Sequence, residues 1–407
     1  MRRHRRTLFI WSVLAVVLLN QEGVESKASG DSIVRPGVTA AGCQGGVTGL
    51  RSEYVVSPSP VSWPQNHFDA AHTGFNPYET TLSASNVAGL KVLWTAHKNT
   101  IFTGGILVVG RRVYAAGAGG VFAFGRGNGS TVWAQPLGNS VQDIAYLGGR
   151  IFVGTVGDHR LHAYDAATGR KLWEFQANGA VGGPTVAPGV LYVETNAGER
   201  YAIDPRTGHP IWSVFTGGTG GHGPALARNI VIAGGGDDRN VQALDAGDGS
   251  LLWTTPVDGS AQGSPSIADE LVFVATAGFG AHSLYALSLY SGEVCWRADL
   301  AGVSASTPAV ANGIVYVGDE FYLYAFDEMS GGRLWRKRTR RGFVLSSPTV
   351  ANGVVYAATL GAYAFDAITG QPLWSSRTDI VNEAPSIVDG VLYVGDFSGN
   401  LRAYALP

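Results

Sequence analysis

Charge and sulfur are scarce in this chain: 15% of its 407 residues are charged, and it holds two methionines and two cysteines. A formal net charge of −2 excludes the global field that nucleic acid or an anionic membrane would need. Cys43 and Cys295 are too few for a disulfide framework or a metal cluster. Cys295 precedes Trp296 at a position where the other repeats described below carry Leu or Ile, so it reads as a small buried apolar residue. No segment has a convincing helical period, and G-x-S-x-G, P-loop and H-E-x-x-H signatures are all missing. That removes the serine-hydrolase, nucleotide-loop and zincin classes.

The chain also lacks a comfortable membrane span. The basic start MRRHRR leads into the apolar run Leu8–Leu19, short of the ~20 residues a spanning helix needs. This is the layout of a secretory signal over residues 1–26, followed by a low-complexity linker over 27–62. The expectation is therefore an exported protein, secreted or periplasmic, with no transmembrane domain after cleavage; a retained signal anchor is the alternative. AAGC, ending at Cys43, has the form of a lipoprotein box, but it lies more than twenty residues beyond the apolar run. It reads as a coincidence.

What the chain has in quantity is glycine, 57 residues, together with Val, Tyr and Trp, a composition of strands and turns. Trp94, Trp133, Trp173, Trp212, Trp253, Trp296, Trp335 and Trp374 are separated by 39, 40, 39, 41, 43, 39 and 39 residues, the mark of a repeat architecture. Before each Trp the pattern Ala-x-Asp-x-x-x-Gly-x-x-x-Trp recurs, as in YAFDAITGQPLW at 363–374. Five copies are complete, while Ser288 and Gly125 replace the Asp in two others. Each repeat reads as four short strands, which is a β-propeller blade. The chain ends in LRAYALP, the start of a motif without its Trp, and LKVLW at 90–94 is an end without a start. Joining them predicts an all-β, eight-bladed propeller of four-stranded antiparallel blades, in which the N- and C-terminal ends share one blade. The blade repeats occupy 90–407 within a domain of 63–407.

This phrase resembles the tryptophan-docking motif of the PQQ-like (pyrroloquinoline quinone) eight-bladed propellers, a family of quinoprotein alcohol dehydrogenases and BamB-like assembly proteins. The lead-in SWPQNHFDAAHTGFNPYET at 62–80 is similar to the segment before the family's first blade. The resemblance implies that the eight Trp residues stack on glycine peptides of neighbouring blades, which makes the motif structural. Function is then expected on the opposite face, in loops that differ between repeats.

That face is expected to carry Asn178, His222, Gln262, Ser306, Ser346, Asn382 and Glu383 from one loop set. The other set supplies Asp158, His159, Glu199, Asp237, Asp238, His282, Asp319 and Asp396. Glu199, His222 and Gln262 are the candidate ligand- or cofactor-binding residues at the channel mouth. Glu194 occupies a slot that is Gly or Ala elsewhere; it is either an exposed strand end or joins Glu199 near a cation. Asp237 and Asp238 are either a plain turn or part of a Ca²⁺ site. RKRTRR at 336–341 reads as an anion site or as a solvated edge that blocks sheet pairing, and His67 and His72 lack a third metal ligand in sequence.

Two functions from different classes follow. One is a non-catalytic, monomeric binding or scaffold module for a protein, peptide or glycan. The other, implied by the resemblance, is a PQQ- and Ca²⁺-dependent alcohol or sugar dehydrogenase. Against the second stand the missing neighbouring cysteine pair, the missing Asn ligand and Asp-Asn-Leu segments, and a chain shorter than those enzymes.

Overall fold

The computed structural model describes residue 43 and residues 62–218, 222–234, 236–278, 282–338, 346–376 and 384–407. The expected signal, nearly all of the linker, Asn382 and Glu383 lie outside the described residues. Among the described residues no helix is long and apolar enough to cross a membrane.

Eight sheets form, each with an antiparallel run of four strands. Blades 1 to 7 are contiguous in sequence; blade 3, for example, consists of Thr185–Ala187, Val190–Glu194, Glu199–Ile203 and Pro210–Phe215, from the inside outward. Blade 8 takes three strands from the C-terminal end, and its outer strand Lys91–His97 pairs with Asn400–Ala405. The ring thus closes by the predicted splice. Alternation along the strands gives every blade two apolar faces, and eight clusters of buried hydrophobic residues fill the eight interfaces between neighbours.

The recurring phrase builds the same corner in blade after blade. In blade 2, Asp165 Oδ1 accepts from the Thr168 amide at 2.8 Å and from its hydroxyl at 2.7 Å, and Gly169 N–H donates to Asp165 O. Gly169 needs its φ of +74°, and a Cβ there would lie 2.7 Å from the Trp133 ring of blade 1. Trp133 Nε1 donates to Ala166 O at 2.9 Å. Trp94, Trp173, Trp212, Trp253, Trp296 and Trp335 lie in the same way against Gly129, Gly208, Gly249, Gly292, Gly331 and Gly370. Trp374 departs from this pattern. Its neighbouring blade is the spliced one and has no Asp-Thr-Gly turn, so the indole packs edge-on against Tyr404 with centroids 5.2 Å apart.

Cys295 also corrects the sequence reading. It is buried as expected, but it forms a disulfide with Cys43 across a sequence separation of 252 residues. Both sulfurs belong to the core cluster between blades 5 and 6. Cys43, the last residue of the lipobox-like AAGC, therefore has a structural role.

Candidate functional site

The lead-in bonds to the innermost strands of the ring. It runs around the inside of the ring and meets each blade in turn. Ser62–Trp63 pair with blade 1, and Pro64 O accepts from Tyr146 N of blade 2. Gln65 Oε1 accepts from Val186 N of blade 3. The carbonyls of Ala70, Ala71, Thr73 and Gly74 take amides from blades 4 to 7, and Asn76 Nδ2 donates to Ile387 O of blade 8. Glu79 then ties this segment to the Gly390 turn on the face that carries the Thr-Gly corners.

His67 and His72 belong to this plug. Both are buried, with ring centroids 5.8 Å apart, and His72 Nε2 lies 3.1 Å from Thr185 Oγ1. Burial pushes the His72 imidazole down to about 4. Above the plug, Asp143 of blade 2 accepts from Asn66 Nδ2, Gly105 N and Ile144 N, and burial pushes its carboxyl up to about 6 despite those bonds.

Most carboxylates of the open face fasten its own loops. Asp319 is fully buried and accepts from the amides of Ala301, Gly302, Phe321 and Tyr322 and from the Tyr324 hydroxyl. Asp396 holds Asn400 and Arg402, and Asp158 faces Thr155 and His162. Glu199 accepts from Asn178 Nδ2 and from the Tyr201 hydroxyl. Asp237 and Asp238 sit on an exposed turn, and Gln262 is half-buried on the loop entering blade 5. No three His, Cys, Asp or Glu residues converge as metal ligands among the described residues. The donor set does not fit a quinone–Ca²⁺ centre: Glu199 is held by loop neighbours, and Cys295 bonds a distant cysteine instead of an adjacent one.

Glu194 is the second correction. It is 1% exposed, so it is no solvated strand end. It pairs across the strands with Arg200, whose Nε lies 3.3 Å from Glu194 Oε2, and its Oε1 accepts from Gly223 N at 3.3 Å. The carboxylate therefore faces a guanidinium, and Glu199 turns to the other side of the same blade. His222 precedes Gly223 and is exposed. Desolvation of its imidazole holds it below the usual histidine range.

Strand register explains why Arg200 escaped the sequence reading. Its structural equivalents, two residues before the recurring Ala, are Val121, Leu161, Val241, Leu284, Leu323, Ala362 and Leu401, all buried. The Glu194 slot is Ala116, Gly154, Gly234, Ala275, Gly318, Ala358 and Gly395 in the other blades. A charge at Arg200, two residues before Ala202, was the available signal.

Elsewhere, the RKRTRR stretch supplies the end of the outer strand Arg333–Arg338 of blade 6. Arg336 sits 4.9 Å over the Tyr322 ring there, and residues 339–341 lie outside the described ones.

A family model described as outer membrane protein assembly factor BamB matches residues 79–215, 196–288 and 280–406. The curated BamB of Salmonella typhimurium (strain LT2) is 30% identical over 115 residues, which are 26% of this chain and 29% of that protein. The match thus spans less than a third of that relative. The crystal structure of BamB from Moraxella catarrhalis superposes with a TM-score of 0.65 at 20% identity, covering 78% of this chain and 99% of that one. Quinohemoprotein alcohol dehydrogenase from Comamonas testosteroni gives 0.74 at 17% identity, covering 90% and 84%. At such identities these structures speak for the fold alone.

Proposed function

Because the chain belongs to the BamB family of PQQ-like propellers, we propose that it is an exported, non-catalytic scaffold that binds a protein partner in an outer-membrane assembly setting. The family match, running almost unbroken from residue 79 to 406, is the observation that carries this reading. The Cys43–Cys295 bond suits an oxidising, extracytoplasmic compartment. The outer strands of blades 3 and 4 are sheet edges that expose Ile211, Phe215, Leu251 and Leu252, side chains suited to a protein surface.

Photo-crosslinking groups placed at Phe215 and Leu251 in intact cells test the proposal. The expected result is a discrete adduct with an envelope assembly protein. Absence of any adduct, together with quinone absorbance and dye reduction when purified protein is titrated with PQQ and Ca²⁺, would replace it with the dehydrogenase reading.

A further inference from the structure

The interface between blades 3 and 4 is built differently from its seven counterparts. Tyr192, Ala202, Trp212 and Val214 of blade 3 pack against Leu226, Val231 and Leu244 of blade 4. The two-residue period of the same strands carries this face upward to Glu194, Arg200 and Thr216, and from the other side to Gln242. The upper part of the interface is therefore polar, and Gln242 Nε2 crosses it to donate to Thr216 O at 3.1 Å.

Several buried polar atoms at this end of the interface have no hydrogen-bond partner among the described residues: Nη1 and Nη2 of Arg200, Oγ1 of Thr216 and Oε1 of Gln242. Arg200 is 2% exposed and Gln242 7%. A buried guanidinium with its Nη edge unmet, beside an unmet carbonyl acceptor, is costly in a closed fold unless a ligand completes it. The Nη edge matches a carboxylate with two parallel acceptors. Gln242 Oε1 accepts only and calls for a donor, and Thr216 Oγ1 serves either role. An occupant that carries both charges adds no net charge beside the buried Arg200–Glu194 ion pair, whereas a singly charged one would.

We propose that the polar end of the blade 3–4 interface, where Arg200, Thr216 and Gln242 hold unmet groups, binds a small zwitterion of the α-amino-acid class. The ligand carboxylate lies on the Arg200 Nη edge and the ammonium on Gln242 Oε1 and Thr216 Oγ1. Glu194 positions the guanidinium, and exposed His222 precedes Gly223, whose amide donates to Glu194. This site is separate from the outer-strand edges offered for a protein partner, so either proposal can fail without the other.

Isothermal titration of the full chain with glycine, L-alanine, acetate and methylamine tests the assignment. Saturable binding of a zwitterion is expected, with acetate weaker by about tenfold and methylamine silent. Gln242→Leu should weaken the zwitterion about tenfold and leave acetate unchanged. Arg200→Leu combined with Glu194→Ala, which installs the residue types of the other blades, should abolish binding while the far-ultraviolet and tryptophan spectra stay those of the wild type. No binding of either zwitterion to the wild type, equal binding of acetate, or retention of binding by the double variant would overturn the proposal.

Discussion

The interface between blades 4 and 5 and the one between blades 3 and 4 are neighbours built from the same repeat, yet they differ in content. The first buries fourteen hydrophobic residues and the second seven. Both keep the lower corner, where Trp253 meets Gly292 and Trp212 meets Gly249. They part at the upper end, where Val241 of blade 4 has Arg200 as its equivalent in blade 3. The repeated end of each blade supplies cohesion, so the unrepeated end is free to hold polar groups that a uniform core would exclude.

The largest effect should come from breaking the shared corner. Trp212→Ala removes an indole from its glycine and from Ala246 O, and is expected to cost about 3 to 5 kcal/mol in urea unfolding. Trp374→Ala should cost less, since Trp374 rests on Tyr404 without a glycine turn. Equal losses would erase the distinction between the seven turn-docked tryptophans and the splice. Next in size is the cystine: Cys295→Ser is expected to lower stability by about 2 to 4 kcal/mol, with no further loss on adding reductant.

A smaller effect belongs to Asp143, on the channel wall near the unusual interface. Its carboxyl is raised by burial from 3.8 to about 6, so the folded state holds this proton more tightly than the unfolded state does. This group favours folding at low pH, and its contribution falls as pH rises from about 4 to 6. Asp143→Asn should flatten that fall by on the order of 1 to 2 kcal/mol in denaturation curves taken across the window. An unchanged slope would mean that Asp143 stays ionised in the channel.

The ring was legible in the sequence because its determinants are periodic. Trp spacing, the Asp-Thr-Gly corner and the split motif at the two ends are local patterns, and together they specify eight blades and their closure. Cys43–Cys295 was missed because nothing local links residues 252 apart; the even cysteine count in a chain expected to be exported was the available hint. Glu194 stands out in the sequence as a carboxylate in a small-residue slot, but its burial depends on Arg200, which is opposite it in the sheet and six residues away in sequence. Gln242 and Thr216 come from adjacent blades and meet only when the ring is assembled. Departures from a repeat can be read in sequence; which departures meet cannot.

The central claim is that the polar end of the blade 3–4 interface is kept for a ligand and not for cohesion. Equilibrium urea unfolding of Arg200→Leu combined with Glu194→Ala, against the wild type in plain buffer, tests it most directly. Replacing a buried ion pair by the apolar residues used in the other blades should leave stability unchanged or raise it by about 1 to 4 kcal/mol. A loss of about 3 kcal/mol or more would show that the pair holds the blades together and would contradict the account.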